Sequence, residues 1–278
     1  MNDSGLSLLL LQILALCIPL CFVLCIPLLL TRQPFQRAIQ AVQLSLGLAL
    51  TVAAGGLIPS AASELPTAHP TLATALGGLV RVDAVTRVLL VLVCFIAVVV
   101  VRYSRTYLQG EPEQPRYARA MLATLAAVTA LALANNLLII TLAWMGTSLA
   151  LHQLLTFYRQ RPQAQIAAHK KFLLSRIADV CMLTVVGIIY LTLGRLDLDA
   201  IDAWSPAGAV PASLQVAAFL LVLAVSLKSA QLPFHGWLIQ VMEAPTPVSA
   251  LLHAGVVNIG GFVLIRLAPF VAHFPIAQ

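Results

Sequence analysis

VPASLQVAAFLLVLAVSLKSAQLPFHGWLIQVM, residues 210–242, is apolar enough to lie in a membrane, yet it carries Lys228 and Pro233 near its middle. Before the lysine only about 14 residues form unbroken apolar core, roughly 21 Å at helical rise, which falls short of a hydrocarbon layer of about 30 Å. A crossing must therefore continue through Lys228-Ser229-Ala230-Gln231-Leu232-Pro233 into residues 234–242. Proline has no N–H and clashes with the preceding turn, so the spacing predicts a span broken near Lys228–Pro233. Broken helices at membrane depth occur where the freed backbone lines protein or water, and transport sites form in such places.

The surrounding sequence supplies the membrane context. Of the 278 residues 60% are hydrophobic and 9% charged, whereas soluble domains are roughly a quarter charged. The mean hydropathy is +0.96. Apolar runs place further spans at about 6–30, 38–58, 84–101, 172–193 and 248–267. The stretch 120–157 would reach about 57 Å as one helix, so it is read as two crossings that turn at Asn135-Asn136. The expectation is an all-α membrane protein of about eight transmembrane helices. MNDSG lacks the basic flank of a signal peptide, and the run after it is longer than a signal core, so it reads as a retained first span.

The net charge of +6 follows from topology and not from a nucleic-acid surface, since the basic residues sit in short loops with little aromatic interleaving. Loops following spans one, three and five hold Arg32, Arg37, Arg102, Arg105, Arg116, Arg119, Arg159, Arg161, Lys170 and Lys171; the other side has only Arg81, Arg195 and Arg266. By the positive-inside rule the N-terminus faces outside, with the basic loops cytoplasmic. The five cysteines all lie in apolar runs without metal-finger spacing and read as buried thiols. No phosphate loop, zinc cluster or nucleophile elbow is present, which argues against catalysis on a soluble substrate and leaves this chain with no cofactor of its own.

Lys228 is the sharpest candidate. An ammonium group at the bilayer centre costs at least about 2.5–3.5 kcal/mol on insertion scales, so it requires a polar interior and a partner. Asp179 lies seven residues into span six, with Arg176 three positions earlier on the same helical face. That pair can be self-contained, or Asp179 can serve Lys228 across helices. His253 in span eight and His235 in the second half of the broken span are candidate proton-relay groups, with His152 behind them. His69, His169 and His273 read as loop or end residues, and Glu243 as a gate or surface residue.

The stretch KSAQLPFHGWLIQVMEAPTPVSALLHAGVVNIGGFVLI, residues 228–265, resembles the signature of the antiporter-like membrane subunits of respiratory complex I and Mrp-type cation/proton antiporters. Weaker similarity runs back through NNLLIITLAWMG and KKFLLSRIADV to about residue 81. The resemblance implies that Lys228 is a central proton-transfer residue, that His253 lies on the proton path and that Arg176 and Asp179 are functionally important. It also implies a division into N-terminal spans with an outer loop, 1–80, and an antiporter-like core, 81–278, corresponding to the first of two inverted repeats. Pumping members usually have Trp-Glu-Gly where this chain has Trp144-Met145-Gly146, so either Asp179 takes over as counter-charge or the proton path is different. Losing the glutamate, together with TSLALHQLLTFY, looks like the membrane subunit of DAB-type inorganic-carbon accumulation complexes. That likeness implies a bacterial inner-membrane subunit coupling H+ or Na+ movement to CO2 hydration by a large cytoplasmic carbonic-anhydrase-like zinc protein, with the zinc held by that partner. The alternatives are a proton-translocating subunit of a complex I or Mrp assembly, or a membrane anchor for a soluble enzyme.

Overall fold

The computed structural model describes residues 3–28, 34–55, 78–206 and 210–274. The expected domain boundary at residue 80 adjoins 56–77, outside the described residues. By internal packing the chain forms two compact units, Met1–Asn135 and Asn136–Gln278.

The first unit holds four long helices: α1 Asp3–Leu28, α2 Pro34–Gly55, α3 Ala84–Tyr107 and α4 Gln114–Leu133. α4 is its centre, with Tyr117, Met121, Leu122, Leu125 and Leu131 buried, and it packs against α1, α2 and α3. The α4 hydroxyls do not oppose that burial, because Thr124 and Thr129 donate to the carbonyls of Ala120 and Leu125, each at 2.8 Å. α3 starts at an N-cap, where Asp83 Oδ1 accepts from the Thr86 amide at 2.8 Å. Ser104 and Tyr117 share a buried hydrogen bond of 3.0 Å between α3 and α4.

The second unit comprises α5 Leu137–Leu155, α6 Pro162–Leu193, the short α7 Leu198–Asp202, α8 Ala212–Lys228, α9 Gly236–Gln240, a 3-10 turn Val241–Glu243, α10 Thr246–Leu251, a π turn Leu252–Val256, α11 Ile259–Arg266 and α12 Ala268–Val271. α6 is its spine, with α5, α8 and α9 packed along it, and α11 lies against α8. Asn136 caps α5 by accepting from the Leu138 amide at 2.9 Å. α6 ends at Gly194, whose φ of 70° suits the left-handed cap position that glycine reaches without a steric cost.

Seven of the described helices are long and apolar enough to cross a membrane. Their outer faces are oily, with Val88 70%, Val180 64% and Leu191 86% exposed, as lipid-facing positions require. The chain is thus an all-helical, multi-pass membrane protein, and α8 with its continuation through α9 supplies the further, broken span. The break falls where Lys228 and Pro233 place it: α8 stops at Lys228, Ala230 takes a positive φ of 52°, and helix resumes at Gly236. The split of 120–157 also falls at Asn135-Asn136, although α4 begins six residues earlier, at Gln114.

Two boundaries differ from the sequence reading. α6 starts at Pro162 instead of residue 172, because Pro at the first helical position nucleates it within the basic segment; Lys170 and Lys171 are therefore helical and not a loop pair. Span eight is not one α-helix, because a π turn and the step at Val257-Asn258 divide it.

Candidate functional site

α8 delivers Lys228 as its last residue, so the ammonium group sits at the helix C-terminus, where the unpaired carbonyls favour positive charge. The side chain is 4% exposed, and Nζ lies 2.6 Å from Asp179 Oδ1. The face of the Trp144 ring, 4.6 Å from Nζ to its centroid, covers the same group. Asp179 comes from the middle of α6, on the buried side that α8 packs against. Its second oxygen, Oδ2, lies 2.6 Å from Arg176 Nη2. One carboxylate therefore holds two cations, one on its own helix and one across the interface. Arg176 also lies over the Phe172 ring at 5.1 Å. The Arg176–Asp179 pair is therefore not self-contained, because Asp179 also pairs with Lys228 across helices.

α11 closes the site from the α8 side. A Cβ at Gly260 would collide with Ser229 Oγ and approach Val225 Cγ1 to 3.0 Å. Only glycine lets α11 come this close to the residue that follows Lys228.

His235 and His253 do not join this cluster. His235 precedes α9, half-buried, with its Nδ1 making no hydrogen bond. His253 is exposed in the π turn and is not among the residues lining the cavity beside Lys228, which include Leu252, Val256 and Val257. His152 is half-buried near the end of α5, edge-on to His169 at 5.6 Å between ring centroids. Glu243 is exposed, and its carbonyl accepts from Arg161 at 3.5 Å. Among the described residues no group of three or more His, Cys, Asp or Glu side chains is arranged to hold a metal ion.

The residue that the sequence reading missed is Lys171. It is 6% exposed, and its Nζ donates to the carbonyl and hydroxyl of Ser148 on α5, at 3.2 and 3.4 Å. The signal was helical phase: Lys171, Ser175 and Asp179 stand at i, i+4 and i+8, on one face of α6. A cavity of about 20 Å³ separates the two lysines, lined by Trp144, Ser148, Lys171, Ser175, Lys228 and Trp237 among others. Met145 is half-buried and not among the residues lining this cavity.

Lys228 at the end of the broken helix α8 and the Asp179–Arg176 pair of the continuous helix α6 form a charged triad among apolar helices, and comparison with known proteins gives the family. Residues 134–277 match the family described as NADH:quinone oxidoreductase/Mrp antiporter, TM, and residues 78–118 match complex I chain 5 N-terminus. The chain belongs to this family of antiporter-like membrane subunits. It is 46% identical over 204 residues to the protein named "Probable inorganic carbon transporter subunit DabB" of Hydrogenovibrio crunogenus, covering 73% of this chain and 39% of that protein. To NADH-quinone oxidoreductase subunit L of Mycobacterium tuberculosis it is 31% identical over 199 residues, covering 71% and 31%. Among solved structures, the Mrp complex from Dietzia superposes with a TM-score of 0.77 at 28% identity, over 98% of this chain and 29% of that one. The chain thus spans about two fifths of the length of its DabB relative.

Proposed function

We propose that this chain is the ion-conducting part of an inorganic-carbon accumulation complex, in which Lys228 exchanges a proton, or responds to a passing Na+, against Asp179. The observation that carries this is the shared carboxylate: Asp179 holds Lys228 across helices while retaining Arg176 on its own helix. A lysine that moves or loses its proton therefore leaves Asp179 still paired with Arg176. The 46% identity to DabB, against 31% to subunit L, favours carbon accumulation over respiration.

In this reading the chain sits in the bacterial inner membrane with its N-terminus outside and works with a large cytoplasmic carbonic-anhydrase-like zinc protein. The ion gradient drives hydration of CO2 to bicarbonate in that partner, which also holds the zinc. His235, at the end of the break, and His253, in the following span, are the candidate relay groups. The Mrp fold match over 98% of the chain supports the second reading, a proton-translocating subunit among other antiporter-like subunits.

Lys228→Ala tests the mechanism: CO2-dependent growth support is expected to disappear while the complex still assembles. Full activity in this variant refutes it. Gentle purification from the native membrane, with mass spectrometry and zinc analysis of the same sample, separates the assemblies. A zinc-containing partner of carbonic-anhydrase type supports carbon accumulation, and flavin or iron–sulfur subunits support respiration. If Lys228→Ala is silent but changes in the basic segments, such as Arg116→Ala at the start of α4, disrupt assembly, the chain is an anchor.

A further inference from the structure

The cavity between α5, α6 and α8 is unusual in what lines it. Lys171 and Lys228 line it together with Trp144, Trp237, three hydroxyl-bearing residues and four aliphatic ones. No carboxylate lines it. Asp179 stands behind Lys228 and is already shared with Arg176. Three formal positive charges therefore meet one negative charge in a region where Lys171, Asp179 and the Lys228 side chain are all buried.

The hydrogen-bond inventory points the same way. Each ammonium group has three donors. Lys171 uses two on Ser148, and Lys228 directs one at Asp179, so both retain N–H groups. Trp237 is 3% exposed, and its Nε1, which can only donate, has no partner among the described residues. Burying an unpaired donor is costly, and burying unpaired charge costs more. A water molecule in the cavity leaves the excess positive charge uncompensated, and a metal cation would face two ammonium groups. An anion answers the charge and the donors together. At about 20 Å³, the space exceeds the roughly 10–15 Å³ that a single water requires, and it suits one monatomic occupant.

We propose that this cavity is a binding site for a single small monovalent anion of halide size, held between the ammonium groups of Lys171 and Lys228 and the indole N–H of Trp237. The site gives Lys171, which the translocation reading leaves without a task, a role as anion ligand. It also places that anion beside the lysine whose charge state is proposed to change.

Chloride is the probe. Chlorine NMR line broadening is measured on the purified, detergent-solubilised complex, with gluconate holding ionic strength constant. The readout is equilibrium binding and does not depend on transport, so its failure is distinct from failure of the Lys228 mechanism. Wild type is expected to give saturable broadening. Lys171→Met is expected to bind at least about tenfold more weakly, the size of a lost charge-assisted hydrogen bond. Trp237→Phe, which keeps the aromatic body and removes the donor, should weaken binding severalfold. Lys170→Met is the control, because Lys170 is exposed and bonded to Gln240 at 3.1 Å, and it should bind as wild type. Lys171→Met removes a buried charge and should fold, and Trp237→Phe gives a second route to the answer. Absence of saturable broadening in wild type overturns the proposal, as does wild-type affinity in both cavity variants or an equal loss in Lys170→Met.

Discussion

Replacing Asp179 with Asn removes the one carboxylate that pairs with Lys228 among the described residues, while leaving the space it fills nearly unchanged. Lys228 then keeps a 4% exposed side chain, its charge still favoured by the Trp144 face and by the C-terminal carbonyls of α8, and Arg176 loses a contact of 2.6 Å. Removing one partner of a buried ion pair costs about 3–5 kcal/mol. At about 2–4 °C per kcal/mol for a chain of this size, melting should fall by about 6–20 °C. The assay is a thermal scan of the purified complex at fixed rate, with the exposed Glu111→Gln as control. Lys228→Met should cost less, because Asp179 keeps Arg176. The double variant should melt close to Lys228→Met and well above the sum of the two single losses, since each single change removes the same interaction. A shift for Asp179→Asn no larger than that of Glu111→Gln, or strict additivity in the double variant, would refute the reasoning.

Other positions give independent tests. Gly260→Ala should destabilise by about 1–3 kcal/mol, the range for overpacking, and should lower translocation by displacing Ser229, which a thermal scan and a transport assay detect together. Asp83→Ala removes the cap on α3 and should cost about 0.5–2 kcal/mol of melting stability, with no change in the pairing of Lys228. Gly194→Ala places a side chain at φ 70° and should cost about 1 kcal/mol; a melting point equal to wild type would show that the end of α6 relaxes without strain.

Much of the broken span was legible because its two signals are chemically independent: a charge within a span too short to cross, and a proline that cannot continue a helix. Asp179 and Arg176 were legible from their i, i+3 spacing. Lys171 was not, because it adjoins Lys170, and a lysine pair after a run containing Arg159, Arg161 and Pro162 has the composition of a membrane-edge loop. Only the phase of α6 separates them: Lys170 falls on the exposed face, whereas Lys171 falls in line with Ser175 and Asp179. The positions of His235 and His253 depend on local backbone that composition does not encode. A π turn leaves no mark on hydropathy, yet it determines which residues of 252–257 look inward.

That π turn has a mechanical consequence. A wide turn stores one surplus residue in the hydrogen-bond ladder. Here it lies at Leu252–Val256, in the wall of the chamber beside Lys228. The long-reach bond from the Val257 amide to the Leu252 carbonyl, at 3.1 Å, sets the spacing of that wall, so Leu252, Val256 and Val257 all reach the chamber from a single turn.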